Sequence, residues 1–505
     1  MNLAEAFARA ATNDLNKPAV FWGDEQYSYG QLWAQTTWVG ERLKVLGVKP
    51  GATIGLWLKN CPQFIPSLFG VWEADGVVAP INNFLKPDEV AYILSDAGIK
   101  LVITDESMAE ACEKLKALLP DTVFLKIEEI TSSSENPIGV DMSNAPAVPA
   151  ASGSARTESD LAVIIYTSGT TGRPKGAMLT HGNLLHNVNS CRQVLKAVGD
   201  DRFVVVLPMF HSFMLTVGIL LPFCVGGSIV LIKSLHPPKN IIEEVVKRQA
   251  TILPAVPQFF RTLMHPSVPP QIPLRLCISG GAPLPGEILK EFTAKFPFPL
   301  VEGYGLSEAS PVVTFNPLEK QKPGSIGKPI AGVEVTVQDD AGALLGAGET
   351  GEICVRGGNV MQGYWNKPEE TEKSIRDGWL LTGDVGHQDE EGYFYITDRK
   401  KDMLLVNGIN VYPREIEERI YQFPGVKEAA VIGVPDARRG ELPIAFVSMN
   451  EGTTLDEKAL LQFLREKLAD YKIPKRVTAL PALPRNATGK ILKTSLRQMV
   501  QEAGA

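Results

Sequence analysis

Short apolar runs alternate along the chain with stretches whose apolar positions recur at helical spacing. Runs such as Thr53–Trp57, Val77–Ile81, Leu101–Thr104, Thr251–Leu253 and Arg275–Ile278 predict short strands buried on both faces. Helical patterns lie between many of them. That alternation predicts an α/β fold whose large N-terminal part consists of layered, largely parallel sheets. From about Ile326 the texture changes. Val333–Val337, Gly351–Arg356 and Gly392–Ile396 predict short strands joined by turns, hence a β-rich subdomain. A smaller α/β unit is expected after the charged segment Asp398–Asp402. There Pro413 suits the first turn of a helix running through Ile416 and Ile420. Leu460, Phe463, Leu464 and Leu468 share one face of a helix over Leu455–Leu468. Ser132–Asp160 is rich in Ser, Ala and Pro and reads as a loose surface connection.

One stretch imitates a membrane span. Phe203–Ile232 holds no Asp, Glu, Lys or Arg and is long enough to cross a bilayer. Pro208, Gly218, Pro222, Gly226 and Gly227 interrupt it, and no basic cluster flanks it as an orientation signal. It predicts a strand (Phe203–Leu207), a loop, a buried helix (about Met214–Cys224) and a second strand (Ser228–Ile232).

Composition narrows the class. With 505 residues, 44 % apolar and 21 % charged, the chain is an ordinary globular protein of more than one domain. A net charge of −7 argues against nucleic-acid binding. The six cysteines are scattered with no C-x-x-C pair, as expected of free thiols in a reducing cytoplasm. The N-terminus lacks the basic and apolar regions of a signal peptide.

The most informative segment is Tyr166-Thr-Ser-Gly-Thr-Thr-Gly-Arg-Pro-Lys-Gly176, which follows the apolar run Leu161–Ile165. Glycines let the backbone approach a ligand, and successive N–H groups in such a loop make a concave anion site. With the hydroxyls and Lys175, the chemistry implied is a grip on a polyphosphate. G-x-x-x-x-G-K-[ST] occurs nowhere, so this is not a Walker A loop. Gly346–Gly351 matches G-x-G-x-x-G but precedes a strand-like EICVR, and reads as a hairpin turn. Five further places carry chemistry. In Glu302-Gly-Tyr-Gly-Leu-Ser-Glu308, two glycines bracket Tyr304, whose ring could lie against a purine. Glu308 is a hard oxygen ligand for Mg²⁺. Gly280–Pro283 follows a buried strand and leaves room for a flat ligand. Asp384, in Thr382-Gly-Asp384, could accept ribose hydroxyls. His211 interrupts the apolar run, and Lys490 stands after a Thr-Gly turn. Alone, each also fits a turn, a core residue or a surface charge.

Together these elements resemble the adenylate-forming superfamily of acyl-CoA synthetases, peptide-synthetase adenylation domains and firefly luciferase. The likeness runs from about Tyr27 to Leu492, with the motifs in the family's order. It implies that Thr167, Ser168, Gly169, Thr170, Thr171, Gly172 and Lys175 hold the pyrophosphate end of ATP. Gly281, Ala282 and Pro283 would line the adenine and Tyr304 would stack on it, with Glu302, Gly303, Gly305 and Ser307 in the same site. Ser307 stands where many members carry Thr. Glu308 and Thr167 would position Mg²⁺, and Asp384 and Arg399 the ribose and phosphate. Lys490 would contact the carboxylate and the α-phosphate. Lys401 matches the hinge about which a C-terminal domain rotates, and Gly408 would then line the tunnel for CoA. The implied domains are 1–398, a hinge at 399–401 and a mobile unit at 402–505.

The implied reaction is acid activation by ATP to an acyl adenylate, followed by transfer to a thiol. The segment His211–Gly218 is similar to the bacterial fatty acyl-CoA synthetases, and its large uncharged residues point to a medium- or long-chain fatty acid. His211 is then a gate beside an apolar acyl pocket. An aryl acid is the second reading, and a carrier protein in place of CoA the third. Expected partners are small molecules and no nucleic acid. The protein is expected to be a cytoplasmic monomer or homodimer. Peripheral membrane contact is compatible with an apolar substrate.

Overall fold

The computed structural model describes residues 1–128, 156–167, 173–235, 237–436, 438–486 and 489–503. The apolar runs assemble into two large sheets. In the nine-stranded sheet the order is Lys328–Pro329, Val312–Phe315, Leu300–Gly305, Leu276–Ser279, Ile252–Ala255, Arg202–Val205, Ser228–Leu231, Pro18–Trp22 and Glu25–Ser28. Its central strands are parallel and antiparallel pairs close both ends. The seven-stranded sheet runs Gly363–Tyr364, Lys175–Thr180, Leu161–Thr167, Val77–Pro80, Thr53–Trp57, Leu101–Thr104 and Val123–Lys126. Helices between these strands cover the faces, which is why most strand residues are buried and read as continuous apolar runs rather than alternating ones.

The expected β-rich subdomain is a five-stranded sheet. Val333–Gln338, Gly351–Gly357, Trp379–Gln388 and Ile375–Arg376 follow in order, with Phe394–Arg399 on the long strand Trp379–Gln388. Gly346–Gly351 leads from one hairpin strand into the next, as its strand-like continuation predicts. A second five-stranded sheet belongs to the smaller C-terminal unit: Ile409–Val411, Leu404–Val406, Gly440–Met449 and Val426–Asp436, with Val477–Ala479 beside Gly440–Met449. Helix Pro413–Tyr421 forms where the pattern places it; the second helix spans Glu457–Arg465, capped by the Asp456 carboxylate on the Ala459 N–H, and stops short of Leu468, which packs into the core from the turn beyond. Packing separates the units. The largest core spans Leu3 to Phe394, whereas two others draw only on residues between Leu404 and Leu496. The connection predicted over Ser132–Asp160 lies largely outside the described residues.

The long apolar stretch departs from expectation in one detail. The strand ends at Val205, and the Leu207 carbonyl accepts from Asn60 Nδ2 at 2.8 Å instead of joining a ladder. Beyond it, Met214–Leu220 winds as a π-helix before an α-helical turn, Leu221–Val225. Pro222 accounts for the widening: it has no N–H to give the carbonyl of Gly218, and its ring crowds that carbonyl in an α-turn. Gly218 has no side chain, and a Cβ there would fall 2.0 Å from the Met214 Sδ. The thioether fills that space. Among the described residues no helix is long and apolar enough to cross a membrane.

Candidate active site

Parallel strands of an α/β sheet bring their carboxyl ends to one edge, where ligands bind. Three site segments leave strands at such ends: Gly280–Pro283 after Leu276–Ser279, Glu302–Gly305 at the end of Leu300–Gly305, and Thr167 at the end of Leu161–Thr167. A cavity of about 230 Å³ opens beside the first two. Its large-domain wall contains Gly281, Ala282, Pro283, Glu302, Gly303, Tyr304 and Gly305. Asp384, Arg399, Gly489 and Lys490 complete it. Residues more than two hundred positions apart in sequence therefore meet around one space.

Small residues keep that wall thin. Gly281 has φ +78°, a conformation that suits glycine. At Gly305 a Cβ would sit 1.9 Å from the Pro311 carbonyl oxygen, so no side chain fits. Glu302 braces the wall from behind: Oε1 accepts the Leu284 N–H at 3.0 Å. Burial pushes its carboxyl up to about 7. Tyr304 donates its hydroxyl to Asp384 Oδ2 at 2.6 Å. Arg399 Nε lies 3.1 Å from the other oxygen, Oδ1. The register explains the pairing, because Asp384 and Arg399 face each other across adjacent strands. Asp384 is thus a buried carboxylate, 3 % exposed, held by a phenol and a guanidinium.

Lys490 enters from the small domain. Its N–H donates to Asn486 Oδ1 at 2.9 Å, and Gly489 turns with φ +82° to present it. Burial, and behind it the Arg399 guanidinium, pushes the Lys490 ammonium down to about 8. His211 is also near. Burial first, and then the Lys490 charge, hold its imidazole down to about 4, so it is neutral at ordinary pH. Its Nδ1 accepts the Phe213 N–H at 3.3 Å. Ser307, in the turn that follows Leu300–Gly305, ties that turn to the apolar segment, its hydroxyl 3.0 Å from that of Ser212.

A second group forms beside the cavity. Thr167 donates to Glu308 Oε1 at 3.2 Å, and Tyr364 donates to the same oxygen at 2.9 Å. A carboxylate and a hydroxyl within reach of each other make a hard-oxygen donor pair, the kind that holds Mg²⁺ when phosphates supply the other ligands. Among the described residues no cluster of three or more His, Cys, Asp or Glu side chains could hold a metal alone. Lys175 pairs with Glu370, and its Nζ lies 5.2 Å from the Tyr364 ring centroid. Ser168, Gly169, Thr170, Thr171 and Gly172 lie outside the described residues. Lys401 is exposed next to Arg399. Gly408 lies in the exposed hairpin turn between Leu404–Val406 and Ile409–Val411, where φ values of +52° at Asn407 and +76° at Gly408 demand its flexibility. It does not line the cavity in this arrangement.

Tyr364, Glu370 and Arg414 sit in no motif, and Ser212, inside the segment His211–Gly218, carries no signal of its contact with Ser307. Tyr364 reaches Glu308 because Gly363–Tyr364 pairs with Lys175–Thr180, a contact that no local pattern encodes.

Known proteins resemble this chain along its length. The family described as AMP-binding enzyme matches residues 7–365, and its C-terminal domain matches residues 415–490. The long-chain-fatty-acid–CoA ligase of Bacillus subtilis (strain 168) is 35% identical over 515 residues, covering 95% of this chain and 91% of its own. The feruloyl-CoA synthase of Amycolatopsis sp is 34% identical over 499 residues, covering 97% of both. The crystal structure of ATP-bound MatB from Rhodopseudomonas palustris superposes with a TM-score of 0.88 at 34% identity, covering 99% of both chains.

Proposed function

The chain belongs to the AMP-binding enzyme family within the adenylate-forming superfamily, and on that footing we propose that its acid is a medium- or long-chain fatty acid, activated as an acyl adenylate and passed to CoA. The coarser activity follows from the family: it is an AMP-forming acid–thiol ligase that uses ATP and CoA.

One observation carries the choice of acid. Near Lys490, the segment from Phe210 to Leu220 is uncharged and buried except at half-buried His211, which is neutral. No cation or anion stands in that segment to pair with a polar tail. An alkyl chain there loses water at no charge-desolvation cost. Each methylene so buried contributes about 0.8 kcal/mol, so affinity should rise about fourfold per added carbon that loses water.

In the first step a carboxylate oxygen attacks the α-phosphorus. The new P–O bond forms as the bond to the bridging oxygen breaks and diphosphate leaves. Two anions must meet, and the Lys490 ammonium offsets their repulsion while holding both in line. Tyr304 lies against the adenine in the slot left by Gly281, Ala282 and Pro283. Asp384 accepts the ribose hydroxyls, with Arg399 at the phosphate side. Lys175 and the loop before it grip the diphosphate end. Glu308 and Thr167 would hold Mg²⁺, which supplies positive charge to the phosphates. In the second step the thiol attacks the acyl carbonyl and AMP departs. Lys490 stands in the way, so residues 402–505 rotate against 1–398 about the hinge 399–401 and bring the Gly408 turn to the thiol channel. The separate cores of the two units support such a motion.

A flat aryl acid is the second reading. A Cβ at Gly280 would lie 3.1 Å from the far end of the Phe213 ring, so an aromatic ring already packs on that glycine, and one relative is a feruloyl-CoA synthase. Assays with ATP, Mg²⁺ and CoA over acids of eight to sixteen carbons and over benzoate-type acids decide between them. The expected result is a kcat/KM that climbs with chain length. Preference for aryl acids overturns the fatty-acid reading.

A further inference from the structure

On its small-domain side the nucleotide cavity is lined by Arg414, Glu417, Glu418 and Lys493, none of which the two-step chemistry uses. Lys493 and Glu417 satisfy each other at 2.8 Å. Among the described residues Arg414 makes no ion pair, although Glu418, one turn further along its helix, feels its charge. Arg414 stands in the first turn of Pro413–Tyr421, and its backbone N–H donates to Asp398 Oδ2 at 2.8 Å. That bond ties it to the segment joining the two units. Its guanidinium turns into the cavity, and one terminal nitrogen, Nη1, is buried without a hydrogen bond. A buried donor left unpaired is costly, so its environment calls for an acceptor or an anion.

Glu302 supplies the complementary need from the large domain. It is 6 % exposed, and one oxygen is engaged by the Leu284 N–H. Against burial, Arg414 is the cation that favours its ionised form, whereas Glu418 opposes it. A guanidinium wanting an anion and a buried carboxylate wanting a cation therefore face the same cavity from opposite domains. We propose that Arg414 is a positioning residue of the adenylation step, its guanidinium set against Glu302 so that the small domain is held over the bound nucleotide. The inference rests on the reading of this cavity as the ATP site. Arg414 faces Glu302 across the cavity only while Lys490 also lies there, because both residues arrive on the same domain. A rearrangement that withdraws Lys490 withdraws Arg414 too. Loss of Arg414 should then slow adenylation and spare thioester formation.

The test uses the full chain carrying Arg414→Ala, Arg414→Lys, Glu302→Gln or the Glu302→Gln/Arg414→Ala pair. Acid-dependent exchange of labelled pyrophosphate into ATP reports the first step. Thioester formation from supplied acyl adenylate and CoA reports the second, and also shows that a variant is folded. Arg414→Ala is expected to raise the KM for ATP in the exchange about tenfold, the scale of coupling between two charged groups facing one cavity. Thioester formation should stay at the wild-type rate, and Arg414→Lys should recover part of the loss. Removing Arg414 should matter less once Glu302 is Gln. Equal loss of both half-reactions, or no change in either, overturns the proposal. A wild-type protein without any acid-dependent exchange instead overturns the ATP-site reading, and the inference with it.

Discussion

Lys490 and His211 show how one environment assigns opposite charge states. Both are half-buried near the same space, but the lysine retains carboxylates within reach (Asp384 and Asp402), whereas the histidine feels desolvation and the lysine's own charge. The lysine ammonium is present below about pH 8 and is lost as pH rises through that value. The kcat/KM for ATP in pyrophosphate exchange should therefore decline above pH 8. Thioester formation from supplied adenylate should lack that limb. No limb near pH 6 to 7 should arise from His211, which stays neutral there. Lys490→Ala should lower exchange by about 10²–10³-fold, the scale for deleting one preorganised charge contact. Exchange that is flat to pH 10, or untouched by Lys490→Ala, would contradict the assignment. At this scale the motifs name one member of each contact more readily than its partner. Thr167 and Glu308, like Asp384 and Arg399, were legible as residue types in characteristic company. Tyr364 and Glu370 were not, because a lone tyrosine or glutamate between motifs carries no local signal.

At the scale of elements, the apolar runs predicted strands well because a strand covered on both faces must be apolar throughout. Ends shifted by a residue or two where side chains took over backbone bonds, as Asn60 does at Leu207. The π-helix escaped prediction because its cause is a packing match between Met214 and Gly218 together with Pro222, not a periodicity. Gly218→Ala tests this. In an ordinary helix the change would stabilise by up to about 1 kcal/mol. Here the added methyl collides with the Met214 thioether, and overpacking of this kind costs about 1–3 kcal/mol. The thermal midpoint should fall. A rise would mean that Met214 yields freely and that the wide turn has another origin.

At the scale of the whole molecule, the two units touch across a charged boundary rather than sharing a core. Asp402 binds Arg497 at 2.9 Å on the small-domain side of that boundary, and Lys400 binds Asp340 at 2.7 Å on the other. Between them Lys401 is exposed. Trypsin should therefore nick the chain first at Lys401, giving fragments that end and begin there by mass spectrometry. ATP with an apolar acid should slow the cut, since ligand favours one arrangement of the domains. A first cut elsewhere, or a rate indifferent to ligand, would argue against a mobile joint at 399–401.

What the sequence determined by itself was chemical kind: an α/β chain, a phosphate-gripping loop, and a set of glycines, acids and cations in one family's order. Such features are local, written in composition and short spacing. What only the tertiary structure decided was who meets whom. Strand register set Asp384 against Arg399, sheet order brought Tyr364 to Glu308, and domain placement carried Lys490 and Arg414 to a cavity built by residues far upstream. Those contacts depend on how separate elements pack, and the free energy that selects a packing is spread over the whole core, so no stretch of sequence records it.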